Sequence, residues 1–145
     1  MNLDGCFKRG LLRETDFPEG TAQKEVLNAK KHIQDARKCI EQGMFGLAVV
    51  SIYTSMFHAG RALLFRDGIK ERSHLCVMIY LKEKYPELED YAKVLDNYRK
   101  CRHEMLYGID VQEIEEDATY GVDLALRFIE AVEEEGIIVS KASKF

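Results

Sequence analysis

The stretch Phe45-Gly46-Leu47-Ala48-Val49-Val50-Ser51-Ile52-Tyr53-Thr54-Ser55-Met56-Phe57-His58-Ala59-Gly60-Arg61-Ala62-Leu63-Leu64-Phe65-Arg66-Asp67 decides the fold. Wound at about 3.6 residues per turn, it is apolar on most sides. That is the pattern of a helix buried among others, not of one lying on a surface. Gly68 ends it. Ser51, Thr54, Ser55, His58 and Arg61 interrupt the run from Leu47 to Phe65. They leave no span of roughly 18 apolar residues, so the stretch does not read as a membrane segment. The same five residues recur every three or four positions and therefore share one face. They read as a polar seam at a site or subunit interface, or as a helix edge at the surface of a bundle. Ala59, Gly60 and Ala62 beside them are small enough to admit another backbone.

The flanking segments supply the helices that would cover this one. From Thr21 to Gln42, Val26, Ala29, Ile33, Ala36 and Ile40 fall at helical intervals, and Gly43 supplies a stop. Downstream, Ser73 can cap a short third helix carrying Leu75, Val77, Met78 and Leu81. Pro86 suits the first position of a fourth, with Glu87, Glu89 and Asp90 at its positive end. This helix runs to about Tyr107, and Gly108 closes it. Asp110 and Glu113 have capping-box spacing for a fifth helix, with a seam of Ile114, Ala118, Gly121, Ala125, Phe128 and Val132. Ile137-Ile138-Val139 is the one β-like triplet. The expectation is an all-α protein: an up-down four-helix bundle with one additional short helix. The core is expected from Ile33, Ala36, Ile40, Val49, Ile52, Met56, Leu63, Leu95, Ala118, Ala125 and Phe128.

Composition bounds the function. The 145 residues suit one domain, 1–145, in which 1–20 and 137–145 read as loosely structured. Hydrophobic residues make up 46% and charged residues 32%, enough for a real core and a solvated surface. A net charge of -4 gives no global field for nucleic acid, so any such binding must use a local patch. The first residues lack the basic-then-apolar grammar of a secretion signal. Cys6, Cys39, Cys76 and Cys101 are widely spaced, so reduced thiols and a cytoplasmic location are expected, with no membrane association.

One local patch stands out. Arg99, Lys100, Arg102 and His103 follow Tyr98 on the fourth helix. Arg99 and His103 are one turn apart, and Arg99 and Arg102 are neighbours. Two guanidiniums offer forked donors to phosphate oxygens, and imidazole titrates near neutrality. The alternatives are a solvated face, or cations favouring the C-terminal end of the helix dipole. His32, His58, His74 and His103 have no metal-ligand spacing, and no glycine-rich phosphate loop occurs, so neither metal nor cofactor is expected.

The residues also carry a resemblance. Tyr53, Met56, Phe57, His58, Ala59, Arg61, Ala62, Leu63 and Leu64 match the string Tyr-x-x-Met-Phe-His-Ala-x-Arg-Ala-Leu-Leu. This resembles the second-helix signature of small stand-alone HEPN-domain proteins of bacteria and archaea. The start Arg9-Gly10-Leu11-Leu12, then Gly68-Ile69 and Ser73-His74, are also similar to that branch. Arg102-His103-Glu104-Met105-Leu106-Tyr107-Gly108 stands where that branch has Arg-x-x-Ala-Asp-Tyr-Gly. The resemblance covers about residues 8–134. It implies a helical bundle, a homodimer meeting through the second and fourth helices, and a small nucleotidyltransferase partner in a toxin–antitoxin-like system. Active HEPN ribonucleases carry Arg, four to six residues, then His. Here Tyr107 follows Arg102 after four residues, and His103 follows Arg99 after three. The first reading is thus a nucleotide- or RNA-binding partner, with Arg99, Arg102, His103, Tyr107, His58 and Arg61 as binding residues. In it, Tyr107 contacts ligand or accepts nucleotidyl groups from the partner enzyme. The alternative is a metal-independent ribonuclease in which Arg102 or Arg99 holds the phosphate and His103 moves protons.

Overall fold

The computed structural model describes residues 1–109 and 115–139. It contains helices α1 (Leu3–Lys8), α2 (Thr21–Glu41), α3 (Phe45–Arg66), α4 (His74–Lys84), α5 (Glu89–Tyr107) and α6 (Glu115–Glu134), and strands β1 (Leu12–Glu14) and β2 (Ile69–Glu71). The second and fourth helices of the sequence reading are therefore α3 and α5. The all-α expectation holds, with α2, α3, α5 and α6 as the long helices and α4 as the expected short one, while α1 is a second short helix beyond the one expected.

α3 is the hub and packs on α2, α5 and α6. Its neighbours' directions follow from side-chain contacts. Ser55 meets Ala29 while Arg61 meets Glu25, so α2 runs antiparallel to α3. Ile52 approaches Gly121 and Gly60 approaches Phe128, so α6 runs parallel to it. Two glycines permit this closeness. A Cβ on Gly60 would lie 2.9 Å from Leu81 Cδ1, and one on Gly121 would lie 2.6 Å from Tyr98 Oη. The small stretch 59–62 thus admits side chains of α4 and α6, not another backbone. By length and composition α3 could cross a membrane, but 67% of its most apolar window is buried inside the bundle, as for a core helix. Ten of the eleven expected core residues are buried, and Ile40 is half-buried at the rim.

The N-terminal segment departs from expectation. Residues 1–20 are not uniformly loose, since they contain α1 and β1, with Cys6 and Leu12 fully buried. β1 pairs antiparallel with β2, matching Leu12 with Glu71 and Glu14 with Ile69. Gly68, at φ +74°, makes the turn from α3 into β2, and its carbonyl accepts from the Thr15 backbone N–H at 2.8 Å. Three-residue strands are too short to show a period of two, so their partner 57 positions away in sequence is invisible to pattern reading. Ile137 to Val139, a β-like triplet too short to be expected as a strand, forms none, and Ile137 is buried against the core. Pro86 begins a short 3₁₀ turn, Pro86–Leu88, ahead of α5 instead of opening that helix directly.

The expectation of four reduced thiols also fails. Cys6 of α1 and Cys76 of α4 form a disulfide, with Cα atoms 5.9 Å apart, while Cys39 and Cys101 are free. The helices bring together sulfurs that lie 70 residues apart in sequence. Ser73 caps α4 as expected, its Oγ accepting from the Cys76 N–H. The capping pair Asp110 and Glu113, and Ile114 of the expected seam, lie outside the described residues, as does 140–145.

The Gly121 contact is a packing test. Gly121→Ala should lower stability by about 1–3 kcal/mol in urea unfolding, because Tyr98 and Ile52 must both move. Alanine's helix preference of about 1 kcal/mol opposes that loss, so an unchanged or raised midpoint would mean that the approach is loose.

Candidate functional site

α2, α6 and α5 cover three sides of α3 and leave one strip facing outward, carrying Val50, Ser51, Thr54, His58 and Arg61, all half-buried. The polar line read from the sequence therefore divides. Ser55 turns inward, fully buried, and its hydroxyl donates to the Ala29 carbonyl at 2.7 Å. Thr54 satisfies itself on the Val50 carbonyl at 2.8 Å. His58 and Arg61 reach sideways to α2.

Their target is Glu25, whose side chain is only 8% exposed. His58 Nδ1 donates to Glu25 Oε2 at 2.8 Å, Arg61 Nε to the same oxygen at 2.8 Å, and Arg61 Nη2 to Oε1 at 3.2 Å. Burial alone would push this carboxyl upward. The hydrogen bonds from His58 and Arg61, with their charges, outweigh it and hold the pKa down at about 2. Arg61 lies over the rings of Phe57 and Phe65, 5.4 and 5.0 Å from their centroids. Its Nη1 stands 3.6 Å from Glu71 Oε2 on β2. On the far side, His32 of α2 stacks on His58 at 5.2 Å. Burial and the His58 charge lower its pKa.

Phe57 links this clamp to a second group. The His74 ring lies 4.1 Å from that of Phe57, and His74 Nδ1 is 2.5 Å from the Tyr53 hydroxyl. Above the Tyr53 ring sits the Arg102 guanidinium, 5.5 Å from the centroid. Burial raises the Tyr53 pKa to about 12, although the charges of Arg102 and Arg99 pull against it. Tyr53 thus keeps its proton at neutral pH and donates it to His74. Burial and then the Arg102 charge lower the His74 pKa, with Glu71 opposing. The face reads across as Arg102, Tyr53, His74, Phe57, Arg61, Glu25, His58 and His32, contributed by four helices.

The expected α5 cluster is dispersed. Asp96 takes Arg99 at 3.1 Å and Lys100 at 3.4 Å, so two of its cations are already paired. Arg102 makes no ion pair within 4.0 Å among the described residues, and rests on an aromatic ring instead. His103 is exposed and its ring sits 5.1 Å from that of Tyr107, one turn on, while Tyr107 itself is 68% exposed. Tyr107 is therefore no packing residue beside Gly108. Sequence reasoning missed Glu25, Tyr53 and His74 as members of the site. Glu25 had a readable sign: it is a carboxylate on the face of α2 that also buries Ala22, Val26 and Ala29. Among the described residues no three His, Cys, Asp or Glu side chains gather as metal ligands.

The clamp makes stability acid-sensitive. Glu25 titrates at about 2 when folded against an ordinary 4.5, so its contribution is complete above pH 4.5 and lost as pH falls towards 2. The difference is on the order of 3 kcal/mol. Glu25→Gln should destabilise the protein at neutral pH and flatten this part of the acid profile, read by urea midpoints at stepped pH. An unaltered profile would remove the clamp from the energetics.

A HEPN domain model matches residues 22–135, which include every site residue from Glu25 to Tyr107. A UPF0332 protein of Archaeoglobus fulgidus is 30% identical over 120 residues, 81% of this chain and 88% of that relative. With the helical architecture and an aligned span of this length, the chain belongs to the HEPN family.

Proposed function

We propose that this protein binds the phosphates of a nucleotide or of RNA on the open face of α3, and does so as the partner of a small nucleotidyltransferase in a toxin–antitoxin-like system. The supporting observation is Arg102. Arg99 and Lys100 spend their charge on Asp96, and Arg61 spends its charge on Glu25 and Glu71. Arg102 instead holds its fork over an aromatic ring at the surface, without a carboxylate among the described residues. A phosphate oxygen is the natural complement to such a group.

Two exposed features at one end of the bundle bear on the homodimer and on the partner enzyme. α3 and α5 run antiparallel, so the start of one and the end of the other share an end of the bundle. There Leu47, Leu106 and Tyr107 expose 54%, 44% and 68% of their surface. This apolar rim beside Arg102 suits a homodimer that joins the two faces. The exposed Tyr107 hydroxyl suits the role of nucleotidyl acceptor. The ribonuclease reading keeps one specific support, an exposed imidazole at His103 directly after Arg102. In that reading, RNA cleavage would persist in chelator and vanish in the Arg102→Ala/His103→Ala double variant.

Binding of ADP and of a labelled single-stranded RNA 12-mer tests the proposal. Affinity should fall steeply with added salt, as phosphate contacts displace counterions. Arg102→Ala should weaken binding by about tenfold or more, the scale of a charged hydrogen bond, and Arg102→Lys by less. Failure of both probes to bind at low salt would contradict it, as would binding indifferent to Arg102.

A further inference from the structure

Resting on that phosphate-binding reading, we infer that His74 is a ligand contact of the same site, with Tyr53 fixing its tautomer so that Nε2–H is presented to a phosphate oxygen beside Arg102. Three observations carry this. First, the His74 side chain is pinned at two points. Its Nδ1 faces the Tyr53 hydroxyl at 2.5 Å, and its ring lies on Phe57 at 4.1 Å. A phenol that keeps its proton donates to Nδ1, and the neutral imidazole then carries its hydrogen on Nε2. Second, this pinned residue is exposed, although its holders Tyr53 and Phe57 are buried. An oriented donor at the surface, held by buried groups, is the arrangement that a ligand contact requires. Third, Tyr53 is shared: the ring whose hydroxyl holds His74 is the ring on which the Arg102 guanidinium rests. One side chain therefore sets the spacing between the forked cation and the imidazole.

The charges around His74 give the contact a sign. Arg102 and Arg99 face it from α5, Arg61 faces it from α3, and Glu71 faces it from β2. Burial first, and then three cations against one carboxylate, disfavour the imidazolium. A dianionic phosphate brought between His74 and Arg102 reverses that balance, so binding is accompanied by proton uptake at Nδ1. Tyr53 then accepts from the imidazolium in place of donating to it. Affinity should accordingly increase as pH falls through the raised His74 pKa of the complex and level off below that of the free protein. His103 is not part of this contact, since its ring is committed to Tyr107 further along α5.

Long-range proton–nitrogen NMR of the ¹⁵N-labelled full chain reads each imidazole separately. The free protein should give the Nε2–H tautomer at His74, and Tyr53→Phe should return it to a mixture while the backbone spectrum is preserved. Arg102→Ala should raise the His74 pKa in the free protein by about one pH unit, the scale of one removed like charge. Adding ADP, or in a second arm the RNA 12-mer, should raise it in the wild type and not in Arg102→Ala. A response to RNA alone would assign the site to phosphodiesters, and a response to ADP to nucleotides. Should ADP or RNA bind while the His74 pKa stays fixed, the inference is overturned and the phosphate-binding reading survives. If neither probe binds, both are overturned. A tautomer insensitive to Tyr53→Phe also overturns the inference.

Discussion

The burial of α3 governs the rest of the structure. A helix that is apolar on nearly every side cannot face water, so α2, α5 and α6 must wrap it and α4 must close the side near Gly60. Helices packed on three sides still leave one strip open, and the sequence puts its polar residues there. His58 and Arg61 occur on an otherwise apolar helix because that strip is the one place where they can keep partners. The site is thus a consequence of the packing: it forms where the bundle stops covering its own centre.

Polar groups at such a boundary have to be paired. Glu25 loses most of its hydration in the α2–α3 seam, which by itself would favour the neutral acid. A forked guanidinium and an imidazole restore the balance and fix the register of α2 against α3. Removing either side leaves a charge stranded in a largely dry seam, so the clamp acts more through the cost of breaking it than through its net gain. Across the strip the situation is inverted. Arg102 meets an aromatic ring, and His74 meets a phenol. The two halves of one face therefore differ in kind: one is closed by internal pairing, and the other keeps a guanidinium and an imidazole that no carboxylate among the described residues bonds.

The helices and the core were legible in the sequence because each long helix buries a stripe that repeats at helical spacing. Gly43, Ser73 and Gly108 marked ends that the structure keeps. The short elements were not legible. Leu12–Glu14 and Ile69–Glu71 are strands only because they find each other, and Cys6 pairs with Cys76 only because α1 lies on α4. The site was half legible. Arg102 and His103 drew notice as a charge cluster, and the three- and four-residue spacing from Asp96 already marked Arg99 and Lys100 as paired, but spacing along α5 cannot tell that Arg102 rests on Tyr53 of α3. Tyr53 and His74 lie 21 positions apart and meet through the turn between α3 and α4, so no local pattern could join them.

A groove of about 360 Å³ between α2 and α6, lined by Leu27, Ile33, Leu126 and Ile129, is the competing place for a ligand. Its floor is apolar and its rim carries Lys30, Arg37, Glu130 and Glu133, of which Lys30 and Glu133 pair with each other at 3.3 Å. Mapping the backbone amide shifts of the full chain on addition of ADP discriminates the two locations directly. If the open face of α3 is the site, the shifts should concentrate on Thr54 and its neighbours, the first turn of α4 and the last turns of α5. Shifts gathered on Leu27, Gln34 and Leu126, with the α5 end silent, would contradict the account.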